Sequence, residues 1–361
     1  MKKLAIIVAV FAAVVAGVAI WMRLWPPFGG RIEGARLERV RESPQWRDGK
    51  FRNRVLTRTM MPGTLGKTLR MQFFGEEIRT PPVAIPARRA SLSPRAGVGL
   101  QAIWIGHATV VIDIDGYRVL TDPIWSERCS PVQWAGPRRF HPPPIALDNL
   151  GHVDAVVISH DHYDHLDMRT IQALSARGAT FFVPLGIGAH LERWGVPAAQ
   201  QRELDWNERA RLRGLEIGAL PSRHFSGRRG VDADETLWAT WAIIGPSHRV
   251  FFSGDTGWFD AFHAIGRELG PFDLTVIKIG AYGPTWPEIH VNPEEAVAMH
   301  RAVRGKLMLP VHWGTFNLAY HDWNEPPERL VKAATGRIAF VMPRPGEVVD
   351  VNDPAPVAKW W

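Results

Sequence analysis

The polar stretch SHDHYDHLD, residues 159–167, places three histidines and three aspartates directly after the apolar run DAVVI at 154–158. A short apolar run of this kind predicts a buried strand. Imidazoles and carboxylates do not stabilise a core, because burying them costs free energy unless they are paired or bind a metal ion. The stretch therefore restricts the fold to one in which a buried strand ends at a polar edge.

The apolar pattern from 98 to 350 predicts alternating strands and helices. Asp115-Gly116 separates two alternating apolar runs, which is a strong signal for a tight hairpin. Helices are predicted at 166–178 and at 292–305, where Asn292 and Glu295 occupy capping-box positions. Buried strands are predicted in DAVVIS (154–159), TFFVP (180–184), WATWAIIG (238–245), RVFFSG (249–254), DLTVIKIG (273–280) and KLMLPV (306–311). The fold class is therefore predicted to be α/β.

Four strand-like runs end in a side chain that can bind a metal. DAVVIS leads into His160, and the run at 214–223 leads into His224. RVFFSG leads into Asp255, and KLMLPV leads into His312. Loops after strand ends are where sheet proteins place ligand-binding groups on a rigid scaffold. Four such residues on separate strands predict one shared site.

The spacing H-x-H-x-D-H at 160–165 predicts ligands for two ions from one loop. The single cysteine, Cys129, excludes a cysteine-based zinc site, so imidazole nitrogen and carboxylate oxygen are the available ligands. Each ion also needs ligands from distant strands. The chain is predicted to hold two Zn²⁺, with iron or manganese as alternatives, through His160, His162 and His224 on one ion, Asp164, His165 and His312 on the other, and Asp255 between them.

H-x-H-x-D-H is the signature of the metallo-β-lactamase superfamily, and longer blocks extend the resemblance. WIGHATVVIDIDG, LTDPIWSERCSPVQWAGPRRF, FFSGDTGWF, HVNPEEAV and VHWGTF resemble the branch that contains N-acyl-phosphatidylethanolamine-hydrolysing phospholipase D, in the family's order over about 100–330. The resemblance implies an αβ/βα four-layer sandwich with a dinuclear zinc site at one edge. It also implies the same seven ligands.

The resemblance adds one residue near the metals. His290, in HVNPEEAV, matches a histidine near the metals in that family, and the resemblance implies that it either contacts the phosphate or protonates the leaving group. Asp164, Asp255 and His290 are therefore the predicted catalytic residues. Phe225 departs from the family, where tryptophan is expected after the third-block histidine, and this departure bears on acyl-chain selectivity.

Other polar residues are predicted to support the site or to lie outside it. His107 is predicted to bond the backbone beneath the site, and Asp122 to fix the tautomer of a ligand. Asp161 is interpreted as a spectator within the signature. The histidines without motif support are interpreted as surface or packing residues: His141, His152, His190, His248, His263, His300 and His321.

The N-terminal stretch at 4–22 is uncharged and long enough to span a bilayer as a helix. Residues 1–25 are therefore predicted to form an uncleaved membrane anchor. A cleaved secretory signal is the alternative, because Gly17-Val-Ala19 resembles a cleavage site. The short lysine leader favours a body facing the periplasm from the bacterial inner membrane. The arginines at 23–41 favour a cytoplasmic body, and a secreted protein is the third alternative.

Charge divides the rest of the chain into a basic lead-in at 26–97, a catalytic domain at 98–350 and a tail at 351–361. Residues 31–95 contain 15 lysines and arginines against 6 acidic residues, whereas the body is mildly acidic. The lead-in is predicted either to lie against anionic lipid head groups or to form a solvated basic stalk. No nucleic-acid partner is predicted, and the oligomeric state stays open, a homodimer included.

These observations lead to one functional hypothesis and two alternatives. The leading hypothesis is a zinc-dependent phospholipase D-like phosphodiesterase, in which a hydroxide held by the metals attacks N-acyl-phosphatidylethanolamine or a related phospholipid at the membrane. The first alternative is a lactonase or another ester hydrolase of the same superfamily. The second is a membrane-tethered binding protein with an inactive site.

Overall fold

The computed structural model describes residues 2–90, 92 and 99–361. Within them, two seven-stranded sheets lie face to face, and helices cover the outer face of each sheet. This is the four-layer αβ/βα sandwich, so the predicted fold class is confirmed. The strands are β1 (Trp46–Arg47), β2 (Lys50–Phe51), β3 (Leu100–Gly106), β4 (Thr109–Ile114), β5 (Tyr117–Thr121), β6 (Ala155–Val157), β7 (Thr180–Pro184), β8 (Gln201–Leu204), β9 (Arg209–Leu212), β10 (Leu215–Leu220), β11 (Thr240–Ile244), β12 (Arg249–Phe252), β13 (Phe272–Lys278), β14 (Gly305–Val311), β15 (Ala339–Phe340) and β16 (Val348–Asp350).

Helices α4 and α5 lie on one sheet, and α6, α7 and α8 lie on the other. The helices are α1 (Lys2–Leu24), α2 (Gly34–Arg41), α3 (Leu65–Phe74), α4 (Met168–Ser175), α5 (Gly188–Arg193), α6 (Ala261–Glu268), α7 (Pro293–Ala302) and α8 (Glu325–Ala334). Each predicted strand and both predicted helices are confirmed within a few residues of their expected bounds.

The two sheets have matching topologies. The first sheet has the order β16-β3-β4-β5-β6-β7-β8, and its strands β5 to β8 run parallel. The second has the order β15-β14-β13-β12-β11-β10-β9, and its strands β12 to β15 run parallel. Parallel neighbours end at the same edge of a sheet, so the loops after them can share one site.

Strand burial explains the unbroken apolar runs in the sequence. In β4, Ile112 faces the core between the sheets, whereas Val111 faces the helices on the outside. In β6, Val157 and Val156 divide in the same way. Strands with both faces covered by protein are apolar at successive positions rather than at alternate ones.

The two local signals in the sequence are confirmed by backbone geometry. Asp115 and Gly116 both have positive φ, 49° and 87°, which is the turn that a two-residue hairpin requires. At the start of α7, Asn292 accepts a hydrogen bond from the Glu295 amide at 2.9 Å, and Glu295 accepts one from the Asn292 amide at 3.0 Å. This reciprocal pair satisfies two amides that the helix leaves unpaired.

The lead-in lies against the body. Phe51 is fully buried in the larger hydrophobic cluster of the body. The Asn53 side chain donates to the carbonyl of His224 at 2.7 Å and accepts from the His224 amide at 3.1 Å. Segment 26–90 therefore supports a predicted ligand residue directly. In the tail, Trp360 stacks on Trp313 with ring centroids 5.1 Å apart.

Helix α1 is long and apolar enough over Ile6–Leu24 to cross a membrane, and none of that window is buried by the rest of the chain. A signal sequence near the N-terminus has the same length and composition. Both predicted alternatives, anchor and signal, are therefore compatible with this helix.

Candidate metal centre

The seven predicted ligands come from both sheets and meet at one edge of the sandwich. Four lie in the loop at 160–165 after β6, in the first sheet. The other three follow β10, β12 and β14, in the second sheet. The site therefore exists only where the two sheets are packed together.

His160, His162 and His224 form the first group of ligand atoms, which lie within 4.8 Å of one another. His160 Nε2 and His162 Nδ1 are 2.8 Å apart. His224 Nδ1 donates to the carbonyl of Ile289 at 3.0 Å, which leaves Nε2 as the lone-pair nitrogen. That Nε2 is buried and has no hydrogen-bond partner in the described residues.

Asp164, His165 and His312 form the second group, which also includes His107. His165 Nε2 lies 3.2 Å from His312 Nε2 and 3.2 Å from Asp164 Oδ2. Each predicted ligand grouping lies within one of these groups, and two further groups overlap them: His160, His165 and Asp255, and His224, Asp255 and His290.

Asp255 lies between the two groups. Its Oδ2 is 3.4 Å from His165 Nε2 and 4.0 Å from His224 Nε2. Its Oδ1 is 3.1 Å from His312 Nε2. One carboxylate thus faces nitrogen atoms of both groups, which is the position that a bridging ligand needs.

Protonation states suit metal binding in most of this cluster. Burial lowers the pKa of His160 and His224 well below the usual range, which favours neutral imidazoles. Burial opposes ionisation of Asp255, but the nearby His312 and Lys278 side chains hold its pKa well below the usual range. Neutral imidazoles and ionised carboxylates are the forms that bind metals. With the unpartnered His224 Nε2, this donor set fits divalent ions such as zinc.

Asp122 fixes the orientation of one predicted ligand. Its Oδ2 lies 2.6 Å from His165 Nδ1 and accepts from Ser159 Oγ at 2.6 Å, while Oδ1 accepts from the Ser159 amide at 2.6 Å. Since Nδ1–H of His165 points at this carboxylate, Nε2 faces the cluster. The contact is the one predicted for Asp122.

His107 contributes its ring as well as its backbone. Its carbonyl accepts from the His312 amide at 2.9 Å, which is the predicted backbone contact. Its Nε2 also lies 2.9 Å from Asp164 Oδ2. Burial, and then repulsion by His312, lowers the pKa of His107 to about 3, so the neutral ring can donate one hydrogen bond to Asp164.

Asp161 points away from the ligand groups. Its Oδ1 accepts from the Gly227 amide at 2.8 Å, and its Oδ2 accepts from Thr236 Oγ1 at 2.9 Å. His190 Nε2 lies 3.3 Å from the same Oδ2. Asp161 therefore holds the loop at 227–236 in place through these hydrogen bonds, which agrees with its interpretation as a residue of the signature that does not bind metal. His190 is buried and belongs to this packing.

Lys278 is a residue at the site that the sequence pattern did not reveal. It is fully buried at the end of β13, and its Nζ lies 3.8 Å from Asp255 Oδ1. Nζ has no hydrogen-bond partner in the described part of the chain, and burial lowers the pKa of Lys278 to about 8. The one signal is a lysine inside the apolar run DLTVIKIG.

His290 lies beside Asp255. Its Nε2 is 3.4 Å from Asp255 Oδ2, and its Nδ1 has no partner among the described residues. Burial lowers the pKa of His290 well below the usual range, and Lys278 adds to the effect. His290 also lines a cavity of about 430 Å³, together with Tyr282 and Tyr320.

Phe225 contacts the first ligand group. Its ring centroid lies 4.5 Å from that of His162 and 4.8 Å from that of His224. An aromatic side chain therefore occupies the position where the family is expected to have tryptophan, and it covers two of the imidazoles.

The chain belongs to the metallo-β-lactamase superfamily. Residues 117–313 match the family described as the beta-lactamase superfamily domain, and this range contains all seven predicted ligands. With its histidine and aspartate cluster, the chain is a metal-dependent hydrolase of that superfamily.

Two relatives and one solved structure illustrate the similarity. The chain is 47% identical over 338 residues to an uncharacterised protein of Mycobacterium tuberculosis, covering 89% of this chain and 88% of the relative. It is 39% identical over 274 residues to N-acyl-phosphatidylethanolamine-hydrolyzing phospholipase D 1 of Caenorhabditis elegans, covering 71% and 77%. The structure of a metal-dependent hydrolase candidate from Veillonella parvula aligns with a TM-score of 0.57 at 18% identity, covering 70% of this chain and all of that one, and supports the fold.

Proposed function

We propose that this chain is a zinc-dependent phosphodiesterase of the phospholipase D type that acts on N-acyl-phosphatidylethanolamine or a related phospholipid. Water adds its oxygen to phosphorus, the bond from phosphorus to the head-group oxygen breaks, and that oxygen receives a proton. The products are an N-acylethanolamine and a phosphatidic acid. The observation that carries the proposal is Asp255 between two histidine-rich groups, in a chain similar to a relative named for this activity.

The seven predicted ligands would hold two ions, with Asp255 shared between them. When bound, two zinc ions would lower the pKa of a water molecule and neutralise charge on the phosphoryl oxygens. Asp164 accepts a proton of the attacking water and keeps it oriented, while His107 holds that carboxylate in place at 2.9 Å. Iron or manganese would fit the same nitrogen and oxygen ligands.

His290 is assigned to the leaving oxygen. Burial lowers its pKa, so the ring is neutral in the free protein, and it would gain a second N–H when the anionic phosphodiester binds beside it. Its position between Asp255 and the adjoining cavity allows that N–H to reach the oxygen that departs from phosphorus. Proton transfer to a poor leaving group is the usual contribution of a histidine placed in this way.

The cavity beside His290 suits an amphipathic substrate. Its apolar part is formed by Met71 from α3 and by Tyr282 and Tyr320 from the body, and its polar part includes Glu77, Glu295 and Glu325. Arg329 also lines it and is paired with Glu294 and Glu325. A phospholipid has the matching division into an apolar body and a charged ester.

Membrane attachment is part of the proposal. Helix α1 would anchor the chain in the bacterial inner membrane with its body in the periplasm, and the basic lead-in would lie near the head groups. On α3, Leu65, Leu69, Phe73 and Phe74 are exposed and would enter the interface beside the cavity. We place the catalytic domain at 98–350, after the lead-in at 26–97 and before the tail at 351–361. Assembly as a homodimer stays a prediction, which light scattering can test.

The test is head-group release by the full chain in vesicles of defined composition. Metal-loaded protein should release N-acylethanolamine from N-acyl-phosphatidylethanolamine, and it should open lactones much more slowly. Faster lactone opening would favour the ester-hydrolase alternative. Fewer than one zinc, iron or manganese ion per folded chain would overturn the enzyme assignment and favour a binding protein.

A second measurement isolates His290. The change His290→Ala should slow hydrolysis of the lipid, whose alkoxide leaves poorly, by at least 100-fold. It should slow hydrolysis of a p-nitrophenyl phosphodiester far less, because p-nitrophenolate leaves without a proton. His263→Ala is the matched control, since His263 is exposed on α6. Equal losses on both substrates would contradict the role in leaving-group protonation.

A further inference from the structure

The chain that follows α1 is seated tightly on the body. Arg193 Nη2 donates to the carbonyl of Leu24 at 2.9 Å, and Arg228 Nη2 donates to the carbonyl of Pro27 at 2.9 Å. At Gly30, an added Cβ would lie 2.0 Å from the carbonyl oxygen of Ala189. Backbone contact this close leaves little freedom, so the end of α1 is held at a defined position above the body.

A cavity of about 400 Å³ lies beside this contact region, between residues 23–36 and α5. Two carboxylates, Glu33 and Glu192, lie in its lining. Five arginines also line it: Arg23, Arg31, Arg36, Arg193 and Arg229. The cavity lies apart from the metal centre, because none of the predicted ligands contributes to its wall.

Two of these arginines are neutralised within the protein. Arg36 pairs with Glu192 at 2.6 Å and with Glu203 at 3.0 Å. Arg229 pairs with Asp232 at 3.0 Å and with a second carboxylate. Their charges are therefore balanced by residues of the fold, and Glu192 is committed to Arg36.

The other three arginines are not balanced. Within the part of the chain that the structure describes, Arg23 and Arg31 have no ion-pair partner, and Arg193 donates to backbone carbonyls alone. Among the described residues that line the cavity, Glu33 is the one remaining negative charge opposite these three guanidinium groups. The cavity thus has a net positive charge that the protein itself leaves uncompensated.

The position of the cavity indicates which kind of anion would balance its positive charge. Arg23 lies in the last turn of α1, where the apolar stretch ends, so the cavity lies at the level of lipid head groups if α1 spans a bilayer. Guanidinium groups bind phosphate through paired hydrogen bonds. We propose that this cavity binds the phosphate of an anionic phospholipid such as phosphatidylglycerol. The inference rests on the membrane placement proposed above and not on the hydrolase chemistry.

The experiment measures lipid binding by the full chain in detergent after removal of native lipid. Native mass spectrometry with added phosphatidylglycerol should show one tightly held lipid, and phosphatidylcholine should show none. The double variant Arg23→Gln with Arg31→Gln should weaken phosphatidylglycerol binding at least tenfold. The matched control, Arg267→Gln with Arg301→Gln, removes the same charge from exposed positions on α6 and α7 and should bind as the wild type does.

Several outcomes would overturn the proposal. They are equal binding of the two lipids, an equal loss in both double variants, and displacement of the lipid by millimolar inorganic phosphate, which would make this a site for free phosphate. A mature chain that begins after Arg23 would also overturn it. No turnover is measured, so head-group hydrolysis can fail while the lipid site stands. Conversely, the Arg23 and Arg31 double variant should hydrolyse lipid at the wild-type rate in the separate head-group release assay, so the lipid site can fail while the hydrolase proposal stands.

Discussion

Replacing Asp122 with asparagine should weaken zinc binding although Asp122 is not one of the predicted ligands. The carboxylate receives three hydrogen bonds of 2.6 Å, two from Ser159 and one from His165 Nδ1. An amide has one oxygen, so one side must present an NH₂ group. Either orientation sets a donor against a donor, at the Ser159 amide or at His165 Nδ1.

The size of the effect follows from which contact fails. If the NH₂ group faces His165, that ring must move its proton to Nε2, the nitrogen directed at the cluster. Loss of an orienting partner of this kind costs about 10- to 100-fold in metal affinity. In free energy this is about 1.4–2.7 kcal/mol of zinc binding.

The assay is a competition titration of zinc against a chromophoric chelator, with circular dichroism to confirm folding. Asp115→Asn is the matched control. Asp115 also lies 2.6 Å from a histidine Nδ1, that of His248, but at the β4–β5 hairpin turn. Zinc affinity in that variant should equal the wild type. The reasoning is refuted if folded Asp122→Asn binds zinc with wild-type affinity, or if Asp115→Asn shows an equal loss.

Three further changes have defined outcomes. His312→Ala should keep the circular dichroism spectrum and lose at least 100-fold in hydrolysis, and a near wild-type rate would remove His312 from the ligand set. Lys278→Met should raise zinc affinity about tenfold, because a charge a few ångströms from Asp255 competes with the metal; weaker binding in a titration would contradict this. Hydrogen bonds from Ser247 and His248 outweigh burial and lower the pKa of Asp115 below 3.8, so its contribution to stability is present above pH 3.8 and is lost as the pH falls through the lowered value. Urea titrations should show that the difference in free energy of unfolding between the wild type and Asp115→Asn disappears as the pH falls below the lowered pKa of Asp115. A difference that stays constant with pH would contradict the assignment.

The strand ends that carry the predicted ligands could be located because each follows a recognisable apolar run. An apolar run ends where the chain leaves the core, so His224, Asp255 and His312 stand at positions that local pattern can locate. The capping box and the Asp115-Gly116 turn are equally local, and the structure confirms both.

The unpredicted features depend on contacts between distant residues. β16 pairs with β3 across about 250 residues, and no local pattern records that partner. Lys278 is a lysine at the end of an apolar run, which usually indicates a side chain reaching solvent. Only the arrangement of β12, β13 and β14 shows that its Nζ lies beside Asp255.

The contact between Asn53 and His224 was missed for the same reason. Asn53 lies in a segment without strong periodicity, and 171 residues separate it from its partner. Its amide and carbonyl bonds hold the backbone of a predicted ligand, so part of the lead-in belongs to the site's scaffold.

The division of the ligands between two sheets gives any bound ion a second role. An ion held by the loop after β6 and by residues after β10, β12 and β14 is a cross-link between the two halves of the sandwich. Its binding free energy then adds to the cohesion of the halves, in proportion to the logarithm of the free metal concentration. The metal supply of the compartment would thereby set how long the folded enzyme lasts, as well as how fast it works.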